Sequence, residues 1–259
     1  AIVTYSGDFS YSYNEYSGDV VIPSTVNGYD VVGIDGSAFQ GCYEVRTVFI
    51  PGSVKRIGAC AFDGCEGLTK VTMEEGVETI GIWAFRSCGS LTEINLPSTI
   101  TSIDASTFQS TPIEKITIGY NFGKLVATNF KSTIKEAVLY GNAKEIKTDA
   151  FRNCKLLEKI TIGDCVKSIG KEAFFGDNNP NLESVKIAST VTNIGEAAFQ
   201  ESTNLKEINI PASVEVLGVA AFLKCENLES VTFAEGSKLT YIGEDAFQDT
   251  KISSITIPD

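Results

Sequence analysis

Cysteine thiols and carboxylates are the reactive side chains of this sequence, because its 259 residues include seven cysteines and no histidine. A Ser-His-Asp triad, a Cys-His pair, imidazole-bound zinc and an imidazole general base therefore cannot form within the chain. No Cys-x-x-Cys pattern occurs either, so the sequence predicts no metal site and no cofactor site. Paired carboxylates, as used by glycoside hydrolases, remain as a possible catalytic device.

Five of the cysteines recur at one position, three residues after a phenylalanine. They are Cys42, Cys65, Cys88, Cys154 and Cys225. Stacked cysteines come near bridging distance, but parallel Cα–Cβ directions oppose disulfide geometry, and an odd total leaves one thiol unpaired. We therefore expect buried, unreactive thiols that pack as small apolar groups. Cys60 and Cys165 lie outside this pattern, and Cys60 is expected to be the most exposed thiol.

Overall composition is that of a soluble globular protein, with 43% hydrophobic and 21% charged residues. The formal net charge is −12, which repels phosphate backbones, so the sequence does not predict nucleic-acid binding. No apolar run reaches the roughly 18 residues that a membrane-spanning helix needs, so no membrane insertion is expected within this chain. No signal peptide is recognisable at the start.

A phenylalanine returns every 21 to 25 residues along the chain. The ten positions are Phe39, Phe62, Phe85, Phe108, Phe130, Phe151, Phe174, Phe199, Phe222 and Phe247. Eight of them follow an alanine, and the exceptions at Phe108 and Phe130 mark a degenerate middle. Next come the pattern L-x-x-I-x-I, a turn that often contains proline, and the pattern V-x-x-I-G, as in Val54 to Gly58.

Each part of this repeat has a physical interpretation. The apolar alternation in L-x-x-I-x-I predicts a half-buried strand, and proline removes a backbone donor, which stops strand pairing there. Glycine after the second short segment is expected to permit a turn that other residues resist. The phenylalanine rings are expected to stack on one another. A unit of about 23 residues cannot bury a hydrophobic face alone, so neighbouring units must stack into a continuous core.

The sequence therefore predicts a repeat solenoid of about ten coils, with parallel strands on one face and short turns or one-turn helices on the other. Residues 1–19 are expected to form an N-terminal capping strand or hairpin. The solenoid is expected to occupy residues 20–259 and to be irregular at 101–150. Because the last repeat stops partway, at Ile255 to Asp259, the natural protein is expected to continue into further domains.

These repeats resemble the BspA-like leucine-rich repeats. The resemblance is carried by "LTEINLPSTITSIDASTF", "IPGSVKRIGACAFDGCEGL" and "IPASVEVLGVAAFLKCENL", and by "VVIPSTVNGYDVVGIDGSAFQGC", which is similar to the family's first repeat. It implies a right-handed leucine-rich-repeat coil in a secreted or cell-surface protein of a host-associated microbe. It also implies binding of matrix or plasma glycoproteins such as fibronectin and fibrinogen, but no residue for that binding carries over.

Two columns of outward residues follow the predicted strands. The first alternates lysine and glutamate from Lys70 to Lys159, which predicts a self-compensating charge ladder and argues against a strong electrostatic docking site. The second is rich in threonine, a residue that suits the surface of a sheet, and Phe49 interrupts it.

Large apolar side chains at irregular places are the candidates for contact with a partner. Trp83 and Ile82 are expected to form an apolar patch with Cys60 on the convex side, where neighbouring repeats carry small or polar residues. A capping contact in a larger protein is an equally good explanation. In the irregular stretch at 101–150, aromatic residues replace the proline of the turn. Either a binding function or mutational drift explains this replacement. The predicted partner-binding residues are Trp83, Ile82, Tyr120, Phe122, Tyr140 and Phe49.

The sequence favours a non-enzymatic module that binds a protein or glycoprotein. A carboxylate enzyme is disfavoured because the outward glutamates alternate with lysine, and short repeats leave no long loops for a cleft. The alternative function is a structural spacer that has no ligand of its own. The sequence does not separate these two hypotheses.

Overall fold

A computed structural model describes residues 2–3, 16–119, 129–130, 132–141, 143–176 and 181–257, and the side chains of all of these except residues 2–3. The chain divides into two compact units. Unit 1 consists of Ala1–Tyr120 with Thr128–Phe130, and unit 2 consists of Asn121–Ala127 with Lys131–Asp259. Both are β-solenoids with almost no helix, and together they have about nine turns, close to the predicted ten.

Unit 1 contains long strands and short strands that alternate along the chain. They are β1 (Ile2–Val3), β2 (Gly18–Val21), β3 (Thr25–Val26), β4 (Tyr29–Asp30), β5 (Gly33–Ile34), β6 (Val45–Ile50), β7 (Arg56–Ile57), β8 (Lys70–Met73), β9 (Thr79–Ile80), β10 (Glu93–Leu96), β11 (Ser102–Ile103) and β12 (Lys115–Ile118). The short strands form one parallel sheet in the order β1-β5-β7-β9-β11. The long strands form two, β2-β6-β8 and β10-β12.

Unit 2 repeats this arrangement. Its strands are β13 (Glu136–Leu139), β14 (Glu145–Ile146), β15 (Lys159–Ile162), β16 (Ser168–Ile169), β17 (Ser184–Ile187), β18 (Asn193–Ile194), β19 (Glu207–Ile210), β20 (Val216–Leu217), β21 (Ser230–Phe233) and β22 (Tyr241–Ile242). The short strands pair in the order β14-β16-β18-β20-β22, whereas the long strands again fall into two ladders, β13-β15-β17 and β19-β21. Residues one coil apart face each other in register, as Glu136 faces Lys159.

The predicted phenylalanine column is confirmed as the centre of the core. The rings of Phe39 and Phe62 lie 5.0 Å apart and are inclined by only 4°, and those of Phe174 and Phe199 lie 4.9 Å apart and are inclined by 3°. The pair Phe108–Phe130 is tilted by 47° instead. That tilt falls in the stretch where the repeats are least regular.

Each phenylalanine lies in a tight turn, and backbone hydrogen bonds join this turn to the equivalent turn of the next coil. Around Phe62, for example, Cys60 N donates to Ile82 O (3.0 Å), Phe62 N to Ala84 O (2.8 Å) and Gly64 N to Arg86 O (2.8 Å). The residues two before and two after the phenylalanine have left-handed backbones, with φ values of 57° and 74° in this coil. The outer face therefore consists of turns, one of the two predicted possibilities.

The glycine that ends the V-x-x-I-G pattern of each repeat has a different role from the one that the sequence suggested. Gly58 and Gly218 do not have left-handed φ values. Instead, a Cβ on Gly58 would lie 2.5 Å from the backbone nitrogen of Gly36, and one on Gly218 would lie 2.5 Å from that of Glu196. These glycines are needed because consecutive coils approach so closely that no side chain fits between them.

The N-terminal part of unit 1 contains an antiparallel hairpin, β3-β4, within the first repeat. Its two-residue turn, Asn27-Gly28, has φ values of 51° and 78°, the pattern of a type I′ turn. Ahead of the hairpin, β1 pairs in parallel with β5, and β2 pairs with β6. The predicted cap boundary at residue 19 stays a prediction, because residues 4–15 lie outside the described part.

Proline explains why the long strands of each unit form two ladders. In several coils without proline, the residue after the strand donates to the preceding coil, as Glu74 N does to Ile50 O and Ala234 N to Ile210 O, both at 3.0 Å. Pro97 and Pro211 occupy the same position after β10 and β19 and have no N–H to donate. The ladder is interrupted at these two coils, between β8 and β10 and between β17 and β19. Pro51 does not have this effect: β6 still pairs with β2, and Ile22 N donates to Phe49 O at 3.0 Å beside it.

Candidate functional site

Trp83 lies on the outer turn between β9 and β10, two residues before Phe85. This position is left-handed in Trp83, with a φ of 58°, and the backbone directs its side chain away from the core. Trp83 is half-buried, and the neighbouring Ile82 is exposed. The structure thus brings these two predicted residues together on the turn face.

Polar contacts from neighbouring coils hold the Trp83 side chain in place. Its Nε1 donates to Gln109 Oε1 at 2.9 Å, and the Arg86 guanidinium lies 4.6 Å from the centre of its ring. Arg86 donates twice to the Asp63 carboxylate, at 2.8 and 2.6 Å, and Gln40 Nε2 donates to the same carboxylate at 3.1 Å. We call Ile82, Trp83 and Arg86 the Trp83 surface.

The carboxylate of Asp63 organises the charges at this surface. It is buried, and its hydrogen bonds from Arg86 raise the pKa of that guanidinium above its usual range. Cys60 is half-buried beside it, and burial, followed by the charge of Asp63, raises the pKa of the Cys60 thiol. The surface therefore presents a fixed cation, an indole ring and a thiol that stays protonated at neutral pH.

The other predicted contact residues lie elsewhere. Phe49 is half-buried on the strand face of β6, where it faces Val21 on one side and Thr72 on the other. Tyr140 is half-buried directly after β13, in unit 2. Tyr120 and Phe122 lie outside the described residues. The structure therefore does not bring Phe49 to the Trp83 surface.

A groove opens in unit 2 where the ladder is interrupted between β17 and β19. It has a volume of about 250 Å³ and is bordered by Glu183 and Glu207, by hydroxyl and amide side chains, and by Val185 and Ile208 at its floor. Val185 is half-buried here, whereas Ile160, its counterpart on β15, is buried. We call this site the β17–β19 groove.

Sequence reasoning missed this groove, although two signals for it are present. Pro211 marks the coil where the hydrogen bond to the preceding coil is lost. In addition, the alternation of lysine and glutamate ends here, because Ser184 and Ser230 occupy the positions on either side of Glu207 in the column. Glu207 therefore faces Ser230 in register, and not a lysine. The Lys–Glu alternation itself is confirmed further back, as Glu93 and Lys115 face each other with Oε1 and Nζ 3.9 Å apart.

A family model decides what kind of protein this is. The model of the BspA type leucine-rich repeat region matches residues 4–137 and 144–259, in six copies. The chain belongs to the BspA type leucine-rich repeat family. Comparison with curated proteins gives no significant match.

Solved structures of other leucine-rich repeat proteins resemble this BspA type chain. A leucine rich cell surface protein from Faecalibacterium prausnitzii is 21% identical over 93% of this chain and 92% of its own, with a TM-score of 0.36. A leucine rich repeat protein from T. pallidum is 26% identical over 81% and 77%, with a TM-score of 0.32. The TLR13–ssRNA13 complex matches 86% of this chain and 39% of its own at 12% identity and a TM-score of 0.51, a likeness of fold.

Within the described ranges, no three or more Cys, Asp or Glu side chains are grouped so that they could hold a metal ion. In the same part of the chain, no helix is long and apolar enough to cross a membrane. Proteins of this family and fold are typically binding modules without catalytic activity.

Proposed function

We propose that this chain is a non-enzymatic protein-binding module of a secreted or cell-surface protein, and that the Trp83 surface contacts its partner. The observation that carries the proposal is the indole of Trp83, which projects from the turn face and is held from both sides by Gln109 and Arg86. An exposed Ile82 extends the apolar area beside it.

Two physical arguments support this surface as a contact site. Tryptophan and arginine are the residue types that most often dominate the binding energy of protein interfaces. A side chain that is already fixed loses little conformational entropy when a partner binds, so more of the contact energy remains as affinity. Asp63, which holds Arg86, and Gln109, which holds Trp83, both contribute to that fixation.

The partner we propose is a host glycoprotein of the fibronectin or fibrinogen type, as the family resemblance implies. The module would serve adhesion within a longer surface or secreted protein that has further domains. The family as a whole consists of repeat proteins that generally act in protein interaction, which is consistent with this role.

Surface-plasmon binding to immobilised fibronectin and fibrinogen, at two salt concentrations, tests the proposal. We expect saturable binding that weakens at least about tenfold in Trp83→Ala, since truncation of a central interface residue commonly has that effect. Tyr241→Ala is the matched control, because Tyr241 is an exposed aromatic residue that belongs to unit 2, whereas the Trp83 surface belongs to unit 1.

Both variants should stay folded and unfold cooperatively in urea, although Trp83→Ala should have a slightly lower midpoint because it loses the contacts with Gln109 and Arg86. Equal binding by parent and Trp83→Ala would remove the Trp83 surface from the interface. No binding to either glycoprotein at tens of micromolar would contradict the proposed partners and favour a structural spacer.

A further inference from the structure

The acidic side chains that border the β17–β19 groove are not neutralised by a cationic side chain of the described part of the chain. In the described part of the chain, no ion pair includes Glu183 or Glu207. Lys186 and Lys206 adjoin the groove in sequence, but neither lines it, and neither pairs with these carboxylates among the described ion pairs.

Unit 1 contains the same interruption of the ladder and provides an internal comparison. The positions equivalent to Ser184, Glu207 and Ser230 are Lys70 on β8, Glu93 on β10 and Lys115 on β12, so Lys115 lies on the side of Glu93 where the ladder continues. Lys115 Nζ lies 3.9 Å from the Glu93 carboxylate. The two interruptions thus share a glutamate in the same strand position, and only in unit 1 does the chain supply an ammonium group to it.

We propose that the β17–β19 groove binds a lysine side chain of the partner protein. The ammonium group takes the place beside the Glu207 carboxylate that Lys115 occupies beside Glu93 in unit 1, on the Ser230 side of the groove. The inference rests on the proposed protein-binding function and adds the chemistry of one contact.

Shape and charge agree with a lysine as occupant. An ammonium group offers three donors, and the groove offers two carboxylates together with the hydroxyls of Ser184 and Ser230. The half-buried Val185 at the floor provides apolar surface for the aliphatic part of a lysine side chain. The net charge of −12 favours the approach of a basic partner segment.

The experiment is an NMR titration of the whole ¹⁵N-labelled chain with acetyl-Gly-Gly-Lys-Gly-Gly-amide. The control peptide is identical except that its lysine is Nε-acetylated, which removes the charge. We expect saturable shifts of the Ser184, Asn209 and Ser230 amides with the lysine peptide only.

Two variants locate the contact. Glu207→Gln should weaken the peptide at least about tenfold, because a charge-assisted hydrogen bond is lost. Ser230→Lys should abolish binding, since it supplies the ammonium group from within the chain, as Lys115 does for Glu93 in unit 1. Glu93→Gln is the matched control at the interruption in unit 1 and should leave the titration unchanged.

Equal weakening by Glu207→Gln and Glu93→Gln, or equal shifts with the acetylated peptide, would overturn the proposal and leave only diffuse attraction to an acidic surface. Absence of shifts at these amides would overturn it as well. If glycoprotein capture still depended on Trp83 in that case, the binding function would stand and only the groove would be rejected. Shifts at the groove without glycoprotein capture would support the lysine site and reject the proposed glycoprotein partners.

Discussion

The thiols of the cysteine column form hydrogen bonds that link one coil to the preceding one. Cys65 Sγ lies 3.1 Å from Phe39 O, Cys88 Sγ lies 3.3 Å from Phe62 O, and Cys225 Sγ lies 3.2 Å from Phe199 O. Each thiol therefore donates to the phenylalanine carbonyl of the preceding coil. None of the seven cysteines, which all lie in the described ranges, forms a disulfide, and burial raises the pKa of Cys65 to about 12, as expected for unreactive thiols.

Thr111 replaces cysteine in this column and keeps the same bond, since its Oγ1 lies 2.6 Å from Phe85 O. We therefore expect Cys88→Thr to be tolerated, whereas Cys88→Ala should lower the free energy of unfolding by about 0.5–1.5 kcal/mol, because the bond between coils to Phe62 O is lost while Cys65 N still donates to that carbonyl. Urea unfolding measures the difference. Ser202→Ala is the control: the Ser202 hydroxyl is buried at the same column position without a hydrogen-bond partner, so its removal should change stability little. A large loss in that variant would contradict this explanation of the column.

At the scale of a residue, the sequence predicted burial of the column thiols but not their acceptor. The acceptor belongs to another coil, 26 residues away, and its position depends on how the coils are stacked. The left-handed turn positions were also missed, because side chains such as those of Cys60 and Trp83 occupy them where glycine would have been the signal.

At the scale of strands, apolar alternation and proline position together determine the sheets. The alternation in L-x-x-I-x-I predicted the long strands, and β10 and β19 show it as outward and buried residues in turn. Proline after these two strands was expected to stop pairing, and it interrupts the ladder to the preceding coil at both. The groove that results was not predictable, because its width depends on how far β17 and β19 separate.

Restoring the missing donor should close the ladder. In Pro211→Ala, the new amide is expected to donate to Ile187 O, as Ala234 N does to Ile210 O. Hydrogen exchange followed by NMR should then show a protected amide at position 211, and the lysine peptide should bind more weakly to the narrowed groove. Ala234→Pro is the inverse variant and should lower the free energy of unfolding by more than about 1 kcal/mol, since it removes that bond. A rapidly exchanging amide at 211 would refute the role assigned to proline.

At the scale of the whole molecule, the repeat of about 23 residues was the strongest signal. It predicted the solenoid, the phenylalanine core and the family, because each coil must bury its apolar face against the next. The contact surfaces are less predictable, since they lie on side chains that the core does not constrain. The division into two units was not foreseen; it falls in the stretch where Thr107 and Asn129 replace the alanine before the phenylalanine.

Stacking makes the cost of losing a ring depend on its place in the column. Phe199 is fully buried and stacks on Phe174 and Phe222, at 4.9 and 5.2 Å, whereas the half-buried Phe247 stacks on Phe222 at 5.5 Å. Phe199→Ala should therefore lower the free energy of unfolding by about 3–5 kcal/mol, and Phe247→Ala by clearly less. Urea unfolding of both variants provides the comparison. Equal losses would show that stability does not arise from stacking between adjacent coils.

The left-handed turn position two residues before most of the described phenylalanines has a consequence for evolution. Across the coils it holds Ser37, Cys60, Trp83, Asp149, Glu172, Ala197, Ala220 and Asp245, all with φ values between 51° and 60°. The same backbone thus tolerates polar, acidic, small and aromatic side chains at regular intervals along one face. A point mutation there alters what the protein displays and leaves the coil intact, so new binding specificities can arise one codon at a time.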